Sequence, residues 1–328
     1  MSFTDLIDLA SERLGGAVLF ANDEFFAPKE SLLRVHPAEW REGEYTDRGK
    51  WMDGWETRRR RDSGDHDWCI VRLGLPGKIA GIVVDTAFFR GNYPESCAIE
   101  AANVSSTASA DELLDAKTKW TPVLSRSPLK GDSKNEFDVL SGPTATHLKF
   151  RIYPDGGVAR LRVYGEPIFD ASKHRAGSEI DLAAMENGAL VVECSDMFFG
   201  HRHNLILPGR STHMGDGWET KRRRGPGNDW SIVRLATRGT LHRVELDTDH
   251  FKGNAPASCV VEILDAPKDA QTTHTPQGEW KPLLAKSPLQ PHARHRFDVN
   301  SQSTATHARL SIYPDGGVAR LRLYGMKA

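Results

Sequence analysis

Two long motifs each occur twice in this chain. Ile152 to Gly165 read IYPDGGVARLRVYG, and Ile312 to Gly325 repeat them with one change, Leu323 in place of Val163. Asp53 to Arg61 read DGWETRRRR and return as DGWETKRRR from Asp216 to Arg224, with Lys221 in place of Arg58. The pairing continues around them: DWCIVRL (Asp67 to Leu73) with DWSIVRL (Asp229 to Leu235), and TATH at Thr144 and again at Thr304. A spacing of roughly 160 residues is far longer than a solenoid unit, so the chain is a tandem duplication of a whole domain. The likeness fades between Glu166 and Glu179, a polar stretch that reads as a linker, which puts the boundary near Ser172. Residues 1–171 are then the first domain and 172–328 the second. Each half is long enough to close its own hydrophobic core.

The periodicity inside each copy is that of strands. In GIVVDT, Ile82 and Val84 share one face and their counterparts Val244 and Leu246 are also apolar, while Val83 becomes Glu245. One face tolerating charge is the mark of a half-buried antiparallel strand. HLKFRIY places Leu148, Phe150 and Ile152 inward and His147, Lys149, Arg151 and Tyr153 outward. After the turn Pro154 to Gly157, Ala159, Leu161 and Val163 point inward, with Arg160, Arg162 and Tyr164 outward. Helix is expected only in short pieces, near Leu6 and over Ala110 to Lys117. Many strands separated by turn signals predict an all-β protein of two tandem antiparallel β-sandwiches.

A net charge of −1 gives no general attraction to nucleic acid or to an anionic membrane. The first residues, MSFTDLIDLA, lack a basic and apolar leader, and no apolar run is long enough to span a bilayer. Four cysteines (Cys69, Cys97, Cys194, Cys259) form no CxxC, which argues against a zinc site or disulfide framework. These features predict a soluble, cytoplasmic protein.

The order of the motifs carries a resemblance. DG, then DWCIVRLG, a Pro-Gly turn and IAGIVVDT, followed by a strand ending RIY and a final LRVYG, resemble a galactose-binding-like (discoidin-type) jelly roll. The duplicated DGWETRRRR, DW.IVRL, DT..F.GN and IYPDGGVARLR.YG are similar, across the full chain, to the allantoicase family. The resemblance implies two jelly-roll repeats, hydrolysis of allantoate to ureidoglycolate and urea, and a homo-oligomer. It implies no cofactor, and the sequence leaves open whether a divalent metal assists.

Allantoate is a carboxylate bearing two ureido groups on one carbon. Its recognition calls for a guanidinium fork on the carboxylate and acceptors for the urea N–H groups. Cleavage calls for an acid on the leaving nitrogen and a means of activating water. The repeated carboxylates Glu56, Asp53, Glu219 and Asp216 are therefore the candidate catalytic groups. The candidate substrate-binding residues are Trp55, Arg59, Arg60, Asn92 and His147, with Trp218, Arg222, Arg223, Asn254 and His307 in the second copy. If Trp55 opens a strand, Glu56, Arg58 and Arg60 share one face and Trp55, Thr57 and Arg59 the other. The tryptophans can equally be core and the arginines a solvated edge. The two histidines can equally be hydrogen-bonded structural groups at a strand start. Asp155 and Asp315 are read as turn formers. His66, among Asp62, Asp65 and Asp67, occurs only in the first copy and reads as part of a polar loop rather than a metal site.

Two functional classes fit the sequence. One is an allantoate-hydrolysing enzyme with loop-borne sites; the other is a tandem binding module for a sugar or small polar ligand. The duplicated cluster of carboxylates and arginines favours the enzyme.

Overall fold

The computed structural model describes residues 2–140, 142–267, 274–299 and 301–328. It comprises two compact units, Met1–Glu166 and Pro167–Ala328. The strands of the first, in chain order, are β1 (Ile7–Asp8), β2 (Ala17–Ala21), β3 (Tyr45–Thr46), β4 (Gly49–Lys50), β5 (Trp55–Glu56), β6 (Asp67–Asp85), β7 (Ser96–Ala102), β8 (Thr121–Pro128), β9 (Lys134–Asp138), β10 (Thr144–Tyr153), β11 (Gly157–Val158) and β12 (Arg160–Pro167). The one α-helix among the described residues is Ala110–Leu114, with a short 3₁₀ turn at Phe3–Asp5.

The 19-residue strand β6 organises the unit. Its first part pairs antiparallel with β10, Cys69 opposite Phe150 and Val71 opposite Leu148, and takes β2 on its other edge. Its last part, Gly81 to Asp85, pairs antiparallel with β9. The sheet runs in the order β1-β12-β6-β10-β7-β8, with β2 and β9 also paired to β6. In the second unit Asp229–Asp247 does the same, pairing with Thr304–Tyr313, Arg294–Asp298 and Arg320–Lys327. The fold is the expected all-β pair of antiparallel jelly rolls.

The inward sets are as the alternation predicts. Ile82, Val84, Phe150, Ile152, Leu161 and Val163 are fully buried, as are Val244, Leu310, Ile312, Leu321 and Leu323. Burying one such side chain is worth about 1.5–3 kcal/mol. The cysteines are free thiols, and burial pushes Cys97 and Cys259 up to about 12.

The outward sets depart from expectation at two positions, and at Arg160 a loop from residues 36–53 covers the sheet face. His147 is buried rather than exposed, and so is Arg160. Arg160 uses all five N–H donors: Nε to the His36 carbonyl, Nη1 to the Asp53 and Ala159 carbonyls, Nη2 to the Pro37 carbonyl and the Asp53 carboxylate at 2.6 Å. Arg320 repeats this with the carbonyls of Gly209, Asn204, Asp216 and Ala319 and the Asp216 carboxylate at 3.1 Å. Removing one partner of a buried pair strands the other's charge, typically at about 3–5 kcal/mol. Arg160→Met is therefore expected to lower the urea midpoint of unfolding far more than Arg90→Met, whose side chain is 79% exposed; equal effects would show the pair to be dispensable.

Candidate active site

Three segments meet at one end of the first unit. The turn Pro154–Gly157 lies against β5, with Gly157 opposite Glu56 and Val158 opposite Trp55. Gly156 adopts φ +135°, and a Cβ there would sit 2.7 Å from the Asn92 carbonyl. A Cβ on Gly157 would overlap the Phe89 ring at 1.9 Å. Only two glycines let this turn pack so closely. The Gly157 amide then donates to the Asn92 carbonyl at 2.7 Å, and the Gly156 amide and carbonyl bracket Thr57. The Asn92 side chain is thereby aimed at β5, where its Nδ2 donates to Glu56 Oε1 at 2.7 Å.

Glu56 lies on the wall of a cleft of about 1270 Å³ whose lining also includes Arg58, Arg59, Arg60, Arg61, Asn92, Tyr93 and Asp155. It is only 9% exposed. Burial raises its carboxyl above the ordinary glutamate range, and the Asn92 bond only partly offsets this. A carboxyl of this kind keeps its proton to higher pH than a free one.

The arginine segment alternates between committed and free side chains. Arg58 Nε pairs with Asp23 at 2.7 Å, and Arg60 pairs with Asp62 at 2.5 Å and with Asp67. The Arg60 amide is also held by the Asp155 carboxylate at 2.7 Å. Arg59 and Arg61 are exposed and have no ion pair or hydrogen bond among the described residues. Two guanidiniums without a partner among the described residues can receive an anion, and a carboxyl of raised proton affinity on the same cleft can donate a proton.

The second unit repeats the frame. Asn254 Nδ2 donates to Glu219 Oε1 at 2.5 Å, the Arg223 amide donates to Asp315 at 2.7 Å, and the Arg223 guanidinium pairs with Asp229 at 2.5 Å. Arg222 and Arg224 are exposed and unspent, like Arg59 and Arg61. Glu219 is less deeply buried than Glu56.

This arrangement can be set beside known proteins. The allantoicase repeat model matches residues 7–168 and again 180–328. The chain belongs to the allantoicase family. It is 47% identical to the allantoicase of Dictyostelium discoideum, over 98% of this chain and 87% of that one. It is 45% identical to a probable allantoicase of Streptomyces coelicolor, over 99% and 86%. Among solved structures it superposes on an allantoicase with TM-score 0.79 at 33% identity, covering 98% of this chain and 93% of that one. The Saccharomyces cerevisiae allantoicase gives 0.77 at 34%, covering 97% and 92%.

Within this allantoicase fold the sequence-derived candidates separate. Glu56, Asn92, Arg59 and Arg60 come together on one cleft, but Arg60 spends its guanidinium on Asp62 and Asp67. Asn92 reaches Glu56, so it positions the acid. Asp53 and Asp216 do not join the cleft: each is locked to Arg160 or Arg320. Burial would raise Asp53, but Arg160, the Glu39 amide and Arg34 outweigh it and hold the carboxyl below its usual range. Trp55 and Trp218 are core residues, fully buried, with indole N–H groups on the carbonyls of Asp23 and Asp196 at 2.7 and 2.8 Å. His66 bonds to Asp65, and its acidic neighbours Asp62 and Asp67 are taken up by Arg60. Among the described residues no group of three or more His, Cys, Asp or Glu side chains is placed to hold a metal ion. Arg61 and Arg224 belong to the same repeated arginine runs as Arg59 and Arg222.

His147 and His307 are also outside the cleft. Each ring is buried, with Nδ1 on the neighbouring threonine hydroxyl at 3.0 and 2.9 Å and Nε2 unpartnered. Burial, helped by Arg72 or Arg234, pushes each imidazole down from 6.5 to about 4. The unfolded chain binds these protons first, so their contribution to stability is whole above about pH 6.5 and is lost as pH falls to about 4. The loss is on the order of 3 kcal/mol per ring. In the double variant His147→Gln, His307→Gln, unfolding free energy should vary less between these pH values than in the parent; an identical pH dependence would show the rings to titrate normally.

Proposed function

We propose that this chain is an allantoicase, hydrolysing allantoate to ureidoglycolate and urea, with one site per unit built on Glu56 and on Glu219. The observation that carries the site assignment is a buried carboxyl, held by an asparagine, beside two guanidiniums with no internal partner. The allantoate carboxylate binds Arg59 and Arg61, whose charge-assisted hydrogen bonds are the strong kind. The Glu56 proton passes to the ureido nitrogen whose bond to the central carbon breaks, and that group leaves as urea. Water oxygen bonds to the same carbon, and the proton the water sheds restores Glu56. A carboxyl with raised proton affinity suits this exchange, because it is an acid before cleavage and a base after it. In the second unit Glu219, Arg222 and Arg224 take the same roles. The family resemblance also supports a cytoplasmic homo-oligomer, which sedimentation of the purified chain tests.

Urea release from allantoate tests the acid. Glu56→Gln and Glu219→Gln are expected each to silence one site, and the double variant to lose about 10²- to 10⁴-fold in kcat. A folded double variant with parental turnover would remove the glutamates from the chemistry. Asn92→Ala withdraws a bond that favours the ionised carboxyl, so the Glu56 pKa should rise further. With Glu219→Gln in the background, the alkaline limb of the pH–rate profile should then move to higher pH; an unmoved limb would deny Asn92 its positioning role.

The anion site is tested separately. Arg59→Lys and Arg61→Lys keep the charge and lose the planar fork. In the same background each should raise KM for allantoate at least about tenfold, a cost of about 1.4 kcal/mol. An unchanged KM in both would place the carboxylate elsewhere.

A further inference from the structure

The two units share their frame but differ at the rim of the cleft. Between Trp40 and Trp51 the first unit carries ten residues, Arg41 to Lys50, where the second passes directly from His213 to Met214. The loops are matched on both sides of this insertion. The Glu39 amide binds Asp53 as the Thr212 amide binds Asp216, at 3.0 and 3.1 Å, and the Arg160 and Arg320 Nε atoms donate to His36 and Gly209. The inserted residues form the β3–β4 hairpin.

This hairpin stands on aromatic side chains. Lys50 lies 3.8 Å from the Trp40 ring centroid, and Arg41 lies 4.3 Å from that of Trp51. Arg48 reaches Phe25, a residue of the cleft wall: its Nη1 donates to the Phe25 carbonyl at 3.1 Å and its guanidinium lies 5.4 Å from the ring centroid. Arg58, tied to Asp23, lies 5.4 Å from the same centroid. Phe25 is thus held by two cations and is 38% exposed, whereas its counterpart Phe198 is 70% exposed. The second unit lacks the hairpin and has Lys221 in place of Arg58.

We infer that the β3–β4 hairpin makes the two sites unequal: by clamping Phe25 it preorganises the first cleft to bind allantoate more tightly than the second. The inference rests on the proposed reaction for the choice of ligand and on the paired frame for the comparison. A wall that is already ordered loses little freedom when substrate arrives, and this saving appears as affinity. A cation on an aromatic face is attracted by the ring's electron density, most strongly where water is excluded. Two such contacts on one ring correspond to a difference of roughly tenfold. The hairpin touches neither Glu56 nor Asn92 in the structure, so its effect falls on binding and not on proton transfer.

Calorimetric titration of allantoate into the Glu56→Gln, Glu219→Gln chain, whose turnover is slowed, separates the sites. The expected isotherm has a tight and a weak class, one of each per chain, about tenfold apart. Deleting Arg41 to Lys50, so that Trp40 joins Trp51 as His213 joins Met214, together with Arg58→Lys to match Lys221, should merge them into one weak class. Arg48→Met, which leaves the hairpin in place, should weaken the tight class alone and serves if the deletion does not fold. One class of equal sites in the intact chain, or a tight class that survives both changes, overturns the inference. Absence of any allantoate binding would instead overturn the proposed substrate.

Discussion

The buried guanidinium of Arg160 holds this fold's working end together. It sits on the last strand of the unit and satisfies itself on the loop at His36 and Pro37 and on Asp53, more than a hundred residues away in the chain. Asp53 is followed by Gly54, whose Cβ position is already occupied by the Val158 carbonyl at 2.5 Å, and then by Trp55 and Glu56. A single ion pair therefore sets where β5 begins. Trp55 then seals the core from one side of β5, and Glu56 stands at the cleft on the next residue. Such a pair is weak evidence for net stability, since desolvating two charges consumes most of their attraction. Its value is positional, and the second unit spends Arg320 and Asp216 in the same way.

What the sequence reveals is what a period of two controls. Phe150 and Leu161 alternate with charged residues, and each is buried. The same rule assigned Arg160 and His147 to solvent, and there it failed. Strand periodicity says which face of a sheet a residue is on; it says nothing about whether a loop from elsewhere covers that face. The loop over Arg160 comes from residues 36–53, beyond any local window. The site was half legible for a related reason. Glu56 and Asn92 were both visible as repeated polar residues, yet their bond depends on Gly156 and Gly157 drawing the Asn92 carbonyl toward β5. The arginines were visible as a cluster, but which of them are spent depends on Asp23, Asp62, Asp67 and Asp155 folding back onto them.

That distribution of partners also explains how Glu56 has a raised proton affinity among four arginines. A guanidinium within a few ångströms would favour the carboxylate and lower its pKa. Instead burial dominates at Glu56, with the Asn92 hydrogen bond as the only opposing influence, and no arginine contributes appreciably. Arg58 and Arg60 are neutralised by their own aspartates before their charge can act on the pocket. Arg59 and Arg61 face water, where the high dielectric weakens their reach into the buried carboxyl. An arginine-rich cleft and a glutamate of raised proton affinity are thus compatible, because Arg58 and Arg60 are compensated by aspartates and Arg59 and Arg61 are screened by water.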